Sequence, residues 1–273
     1  KPLMKGALKI PVVSSVIYRK IYDKLMSTFG GNVKYIIIGG APLNEAVEEM
    51  MKKVGLPYCV GYGMTECAPL ISYEHYSRFA FRSCGKPVDR MEVRIDSPDA
   101  TEVVGEIQTR GDNVMSGYYK NKDATAAAFT ADGWLHTGDM GIMDAEGNIF
   151  IKGRCKNMVL GPNGQNIYPE EIEDKLNSHR YVVESIVVSR QGRLVALIYP
   201  NTDAIVEDAS EHGQKSPADA RPDTEALVSA AMDALLAEVN KSLPSYSKLS
   251  KAEVMATEFE KTPKKSIKRF LYE

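Results

Sequence analysis

The feature that most constrains the fold is a strand, helix, strand succession in which each strand runs straight into glycine. Residues 33–38 are rich in β-branched side chains and end at Gly39-Gly40-Ala41-Pro42. Asn44 stands where a helix cap is wanted, and Val47, Met50, Met51 and Val54 recur at i, i+3, i+4, i+7, the pattern of an amphipathic helix. A second short run, 57–60, stops at Gly61. Strands joined through a helix lie parallel, and the ligands of such sheets sit beyond the carboxyl ends of the strands. The turns at 39–42 and 61–63 are therefore the first places to look for a site.

Around this unit the texture changes twice. Upstream, Ile17, Ile21, Leu25 and Phe29 repeat every four residues over 16–29 and predict a helix stopped by Gly30-Gly31. From 85 to 153 short runs at 92–95, 103–110 and 149–152 are separated by Gly, Asp and Asn, as in an antiparallel sheet or small barrel. After Arg154 come a glycine-rich loop, a helix near 169–177, strands near 182–189 and 194–199, and a helix over 225–243 carrying Leu227, Ala231, Leu235 and Val239 on one face. Residues 201–224 are polar with little periodicity and read as an exposed loop. Three parts are expected: α/β over 1–84, β-rich and barrel-like over 85–154, and a mobile α+β domain over 155–273.

The 273 residues hold 34 Lys and Arg against 36 Asp and Glu, which leaves no basic field to draw nucleic acid, so none is expected as a partner. No apolar run approaches the roughly 20 residues that span a bilayer, although peripheral membrane contact stays open. Four cysteines without a CxxC pair suggest neither zinc nor a disulfide scaffold, and a reducing cytoplasm fits. Lys1 in place of Met suggests a piece of a longer protein.

Several segments carry chemistry. Gly61-Tyr62-Gly63-Met64-Thr65-Glu66 follows a strand and offers an aromatic face for a base, a glycine admitting close approach, a hydroxyl for phosphate and a carboxylate for Mg²⁺. Trp134-Leu135-His136-Thr137-Gly138-Asp139 puts a carboxylate in a turn, where it can accept from both ribose hydroxyls. Arg154 and Lys156 flank a glycine-punctuated loop that suits a hinge. The tail from Lys261 to Arg269 holds five basic residues in nine. Taken alone, each segment also has a plainer reading: a strand-end turn, a core Trp beside a turn Asp, a linker, a solvated terminus.

In combination and in order, these segments resemble the acyl-adenylate-forming superfamily. The motifs are GGAPL at 39–43, GYGMTE at 61–66, GEIQTRGDNVMSGYY at 105–119, WLHTGD at 134–139 and GRCKNMVLGPNGQNIYPEEIE at 153–173. The resemblance implies that residues 1–84 are the α/β part of the large N-terminal adenylating domain, followed by the β-rich subdomain and the small C-terminal domain. It implies that Gly40, Ala41 and Pro42 border adenine and the acyl channel. Tyr62 would stack on adenine beside Gly61, Gly63 and Met64, Thr65 would contact the α-phosphate, and Glu66 would hold Mg²⁺. Asp139 would bind the ribose, Arg154 would support it, Lys156 would be the hinge, and the loop from Gly161 to Tyr168 would line the pantetheine tunnel.

ATP or AMP, Mg²⁺ and coenzyme A are the implied cofactors. The form NGQNIYPEEIE and the closing FEKTPKKSIKRFLY resemble bacterial long-chain fatty acyl-CoA synthetases, which makes a long-chain fatty acid the implied substrate. Two departures stand out. The family's Ser/Thr/Gly-rich phosphate loop is absent from these residues, so the isolated chain is expected to be inactive. The family tail reads Thr-Pro-x-Gly-Lys-Ile-x-Arg, which places Ser266 at its lysine; Lys265 is the first candidate to supply the cation, with Lys264 and Lys268 behind it. Loading of a carrier protein or another carboxylate, or a non-catalytic nucleotide-binding or interaction role, remain as alternatives.

Overall fold

A computed structural model describes residues 11–161, 164–211, 223–263 and 265–273, and the chain divides into two compact units, Lys1–Ile151 and Lys152–Glu273. The first begins with α1 (Pro11–Thr28). Its stop is the expected one: Gly30 and Gly31 take φ of 83° and 76°, and their amides donate back to Ser27 O and Met26 O. Then come β1 (Ile36–Ile38), α2 (Glu45–Val54) and β2 (Tyr58–Val60), the strands parallel with Ile36 opposite Tyr58. Asn44 Oδ1 caps α2 by accepting from Val47 N at 3.2 Å.

The apolar stripe expected on α2 is mostly uncovered, with Val54 buried but Val47, Met50 and the neighbouring Ile37 exposed. Among the described residues the β1–β2 sheet has only two strands, too narrow to cover that stripe. What α2 buries instead is Glu48, at 1% exposure. Its carboxylate accepts from Tyr58 Oη at 3.2 Å and Arg82 N at 2.9 Å, with the Arg82 guanidinium at 3.6 Å, so the buried charge is paired.

The unit continues through β3 (Tyr62–Gly63), β4 (Leu70–Tyr73) and β5 (Lys86–Pro87), a small antiparallel sheet. After it come β6 (Met91–Asp96), β7 (Gly105–Gly111), α3 (Lys122–Ala128), β8 (Leu135–Met143) and β9 (Ile149–Arg154), with β6-β7-β8-β9 forming a four-stranded sheet in sequence order. One core contains Val60 and Ile71 together with Ile107, Leu135 and Ile149. The boundary expected at 84/85 therefore does not separate two cores, and the division falls inside β9.

In the second unit β10 (Val159–Leu160) and β11 (Asn166–Ile167) pair antiparallel, and Gly161 N donates to Gln165 O at 2.8 Å beside them; Pro162 and Asn163 lie outside the described residues. Then follow α4 (Pro169–Asn177), β12 (Val182–Arg190), β13 (Arg193–Pro200), α5 (Thr202–Glu211), α6 (Thr224–Ser242) and β14 (Leu249–Val254). The sheet order is β12-β13-β14, the last pair parallel across α6. Alternation along β13 sorts its two faces. Leu194, Ala196 and Ile198 pack against Leu176, Met232, Leu235 and Val239, while Val195 and Leu197 pack with Phe259.

The loop expected over 201–224 is helical from Thr202 to Glu211. Asn201 Oδ1 accepts from Ala204 N at 3.3 Å, Ile205 enters the core, and Asp208 takes Arg180 and the Tyr181 hydroxyl, each at 2.7 Å. The cap, the buried Ile205 and the pairs made by Asp208 hold this helix in place of a full apolar stripe. Residues 212–222 lie outside the described ones. Among the described residues no helix is long and apolar enough to cross a membrane.

Candidate functional site

The two glycine turns sit side by side at the carboxyl ends of β1 and β2. Gly61 N donates to Ile38 O at 2.8 Å, and a Cβ on Gly39 would lie 3.3 Å from Gly61 O. Gly40 takes a left-handed φ of 87°, and Gly40, Ala41 and Pro42 are exposed. The Arg82 guanidinium donates to Leu43 O at 2.9 Å, tying this turn to the Glu48 pair.

Tyr62 leaves β2 with its ring buried. Gly63 is glycine for a reason other than the one expected. A Cβ there would lie 2.0 Å from Pro69 O, which accepts from Met64 N at 2.8 Å, so the chain's own return strand takes the space read as ligand clearance. Thr65 is exposed at the start of a 3₁₀ turn, Thr65–Cys67. Half-buried Glu66 is held twice by the 105–119 motif: Tyr118 Oη donates to its Oε1 at 3.0 Å, and Met115 N donates to its main-chain oxygen at 2.7 Å. The bond to Glu66 leads the causes that raise the Tyr118 phenol above its ordinary value.

WLHTGD is not the turn that its glycine suggests. From Leu135 onward it lies in β8, at a bulge where Gly138 takes φ of 70°, and Asp139 is buried at 5% exposure. Asp139 Oδ2 accepts from Tyr62 Oη at 2.7 Å across 77 residues of sequence. The Trp134 ring lies within 4.6 Å of both the Arg94 and the Arg110 guanidinium, each also in an ion pair, so this Trp is a packing residue. Burial pushes the neighbouring Cys84 thiol up to about 12 and Cys67 up to about 11, which leaves both as inert core residues.

Arg154, Lys156 and Lys265 belong to the second unit. Arg154 ends β9 with an exposed side chain, and Lys156 is exposed in the 3₁₀ turn Cys155–Asn157. The first turn of α4 holds both flanks of that segment: Glu171 pairs with Lys152 at 3.1 Å, and Glu170 accepts from Asn157 at 2.5 Å. The tail is a hairpin rather than a strand, with Lys261 bridging Ile267 and Lys265 N donating to Thr262 O at 2.8 Å. Lys265 takes φ of 62°, the left-handed conformation that favours the glycine of the family pattern. Ser266 is exposed, Lys268 pairs with Glu260 at 3.1 Å, and Lys264 lies outside the described residues. Arg269 anchors the hairpin by pairing with Glu173 of α4 and donating to Val187 O at 3.3 Å.

Among the described residues no group of three His, Cys, Asp or Glu could hold a metal ion. One oriented carboxylate, Glu66, fits a Mg²⁺ that arrives with nucleotide phosphates and keeps its waters, and does not fit an all-protein cage. Tyr118, which holds Glu66, lies within a quoted motif yet carries no chemistry legible on its own; only the fold shows what it holds.

Two family profiles match the chain, AMP-binding enzyme over residues 10–119 and AMP-binding enzyme C-terminal domain over residues 156–273. The chain belongs to the AMP-binding enzyme family. It is 29% identical over 262 residues to the long-chain-fatty-acid-CoA ligase FadD15 of Mycobacterium bovis, covering 93% of this chain and 42% of that protein. It is 34% identical to a 2-succinylbenzoate-CoA ligase of Bacillus cytotoxicus, over 68% of this chain and 39% of the relative. This family member thus spans about two fifths of the length of such relatives. The fold matches o-succinylbenzoate CoA synthetase of Bacillus subtilis, solved with its acyl-adenylate intermediate, at TM-score 0.72 and 26% identity, covering 93% of this chain and 50% of that one.

Proposed function

We propose that these residues form the nucleotide side of an acyl-AMP site in an AMP-forming fatty acid:CoA ligase. The observation that carries this reading is the 2.7 Å bond between Tyr62 and Asp139, which joins the GYGMTE and WLHTGD motifs into one buried constellation beside the glycine turns. In this reading Tyr62 presents its ring to adenine, and Gly40, Ala41, Pro42, Gly61 and Met64 border the base. Asp139 accepts from the ribose hydroxyls and Thr65 donates to the α-phosphate. Glu66, oriented by Tyr118, would hold Mg²⁺, which supplies charge neutralisation at the phosphates when bound. The substrate carboxylate attacks the α-phosphorus and pyrophosphate leaves; the thiolate of coenzyme A then attacks the acyl carbonyl and AMP leaves. Arg154 supports the ribose, the segment at Lys156 serves as the pivot between the two steps, and Lys265 supplies the cation that Ser266 lacks.

A long-chain fatty acid is the proposed substrate, favoured by the closing FEKTPKKSIKRFLY and by the likeness to FadD15. A second reading, an aryl or dicarboxylic acid, is favoured by the likeness to 2-succinylbenzoate-CoA ligase. Pyrophosphate release by a protein of the relatives' full length that contains these residues separates them. Palmitate is expected to drive release well above 2-succinylbenzoate and amino acids. Equal or faster release with 2-succinylbenzoate would establish the second reading instead.

A further inference from the structure

The buried carboxylate of Asp139 does not stand on a regular ladder. Across β7 and β8, Glu106 faces Met140 and Gln108 faces His136, so Ile107 alone lies opposite Thr137, Gly138 and Asp139. Two extra residues in one strand leave main-chain groups without ladder partners and free the strand to slip. A slip of one residue would turn Asp139 to the other face, away from Tyr62. Something must hold the bulge.

Glu106 does so from the facing strand. Its Oε1 accepts from Gly138 N at 3.0 Å and its Oε2 lies 2.6 Å from His136 Nδ1, so one carboxylate grips both the left-handed pivot and the residue that precedes the bulge. Thr137 closes the inner side, donating from Oγ1 to Ile107 O at 2.6 Å and accepting from Asp139 N at 3.1 Å. With the carboxylate ionised, Nδ1 of His136 carries the proton, which fixes the tautomer as well as the ring. The Glu106 side chain is 19% exposed and that of His136 36%, so water competes with this brace only in part.

We propose that Glu106, acting through His136 and the Gly138 amide, is a positioning residue of the nucleotide site that fixes the direction of the Asp139 carboxylate. The consequence for binding rests on the reading of Asp139 as a ribose acceptor; the brace itself does not. Amide hydrogen exchange and AMP titration of this 273-residue chain test the two separately. In Glu106→Ala, exchange at the Gly138 amide should quicken by about tenfold or more while the rest of β6–β9 keeps its protection. AMP affinity should fall about tenfold. Glu106→Gln keeps a carbonyl oxygen for Gly138 and an amide donor for the other His136 tautomer, and should stay within about threefold of the parent chain in both readouts.

Unchanged exchange at Gly138 in Glu106→Ala overturns the brace. So does protection lost equally throughout the sheet, or a Gln variant as damaged as Ala. Quickened exchange with unaltered AMP affinity overturns the positioning role. If the parent chain binds no AMP, the proposed function fails, and the exchange data alone decide whether the brace exists.

Discussion

Gly63 and Gly138 lie in the two motifs that meet at Asp139, and they are glycine for different reasons. At Gly63 a Cβ would strike Pro69 O at 2.0 Å; at Gly138 nothing lies within 4 Å and only the left-handed φ penalises a side chain. Gly138→Ala should therefore cost about 1–2 kcal/mol, and Gly63→Ala at least about 3 kcal/mol because backbone must move. Denaturant unfolding of the two variants checks the order, and a larger loss for Gly138→Ala would contradict it. Sequence could not separate these cases, since spacing marks a glycine but not what crowds it. At Lys265 a side chain already occupies the left-handed position. Lys265→Gly should leave stability unchanged or raise it by up to about 1 kcal/mol, yet slow acyl-AMP formation by the full-length protein about tenfold or more if this amine is the missing cation. A variant as stable and as fast as the parent would remove Lys265 from the site.

Elements with a clean period were legible and those without one were not. α4 carries Pro169 at its first position and α6 an apolar face, and both emerged where expected. β8 was missed because Gly138 and Asp139 imitate a turn, when the irregularity is a bulge inside a strand. α5 was missed because Ile205 is the single residue it fully buries among the described ones. β14 reads as a charged stretch, Leu249–Val254, since it pairs on one side only within β12-β13-β14.

The link from the tail hairpin to α4 gives a test at this scale. Burial pushes the Glu173 carboxyl up to about 7, against the Arg269 guanidinium and the Val187 amide, which favour its charged form. Arg269→Ala leaves burial opposed only by the amide and should cost about 3 kcal/mol at pH 8. A carboxyl raised above its unfolded value keeps a proton that the unfolded chain releases, so stability falls as pH rises from the ordinary glutamate range through the folded value. The deficit of the variant should thus shrink at pH 5, and an equal deficit at both pH values would argue against a buried Glu173 charge as its cause.

At the scale of the molecule, the motifs that made the family legible are the ones proposed to handle the nucleotide, and in that reading their chemistry is the same whatever acid is activated. In the same reading, substrate class would rest on side chains lining an acyl channel, which have no fixed spacing to read. What the first unit does hold is a constellation drawn from β2–β3, β7 and β8, assembled by long-range hydrogen bonds that no local pattern contains. The claim that this constellation receives AMP is tested most directly by calorimetric titration of the 273-residue chain with AMP, beside Asp139→Ala. Saturable one-site binding that weakens about tenfold or more in the variant is the predicted result; binding equally tight with Asp139 removed, or none in the parent chain, would contradict it.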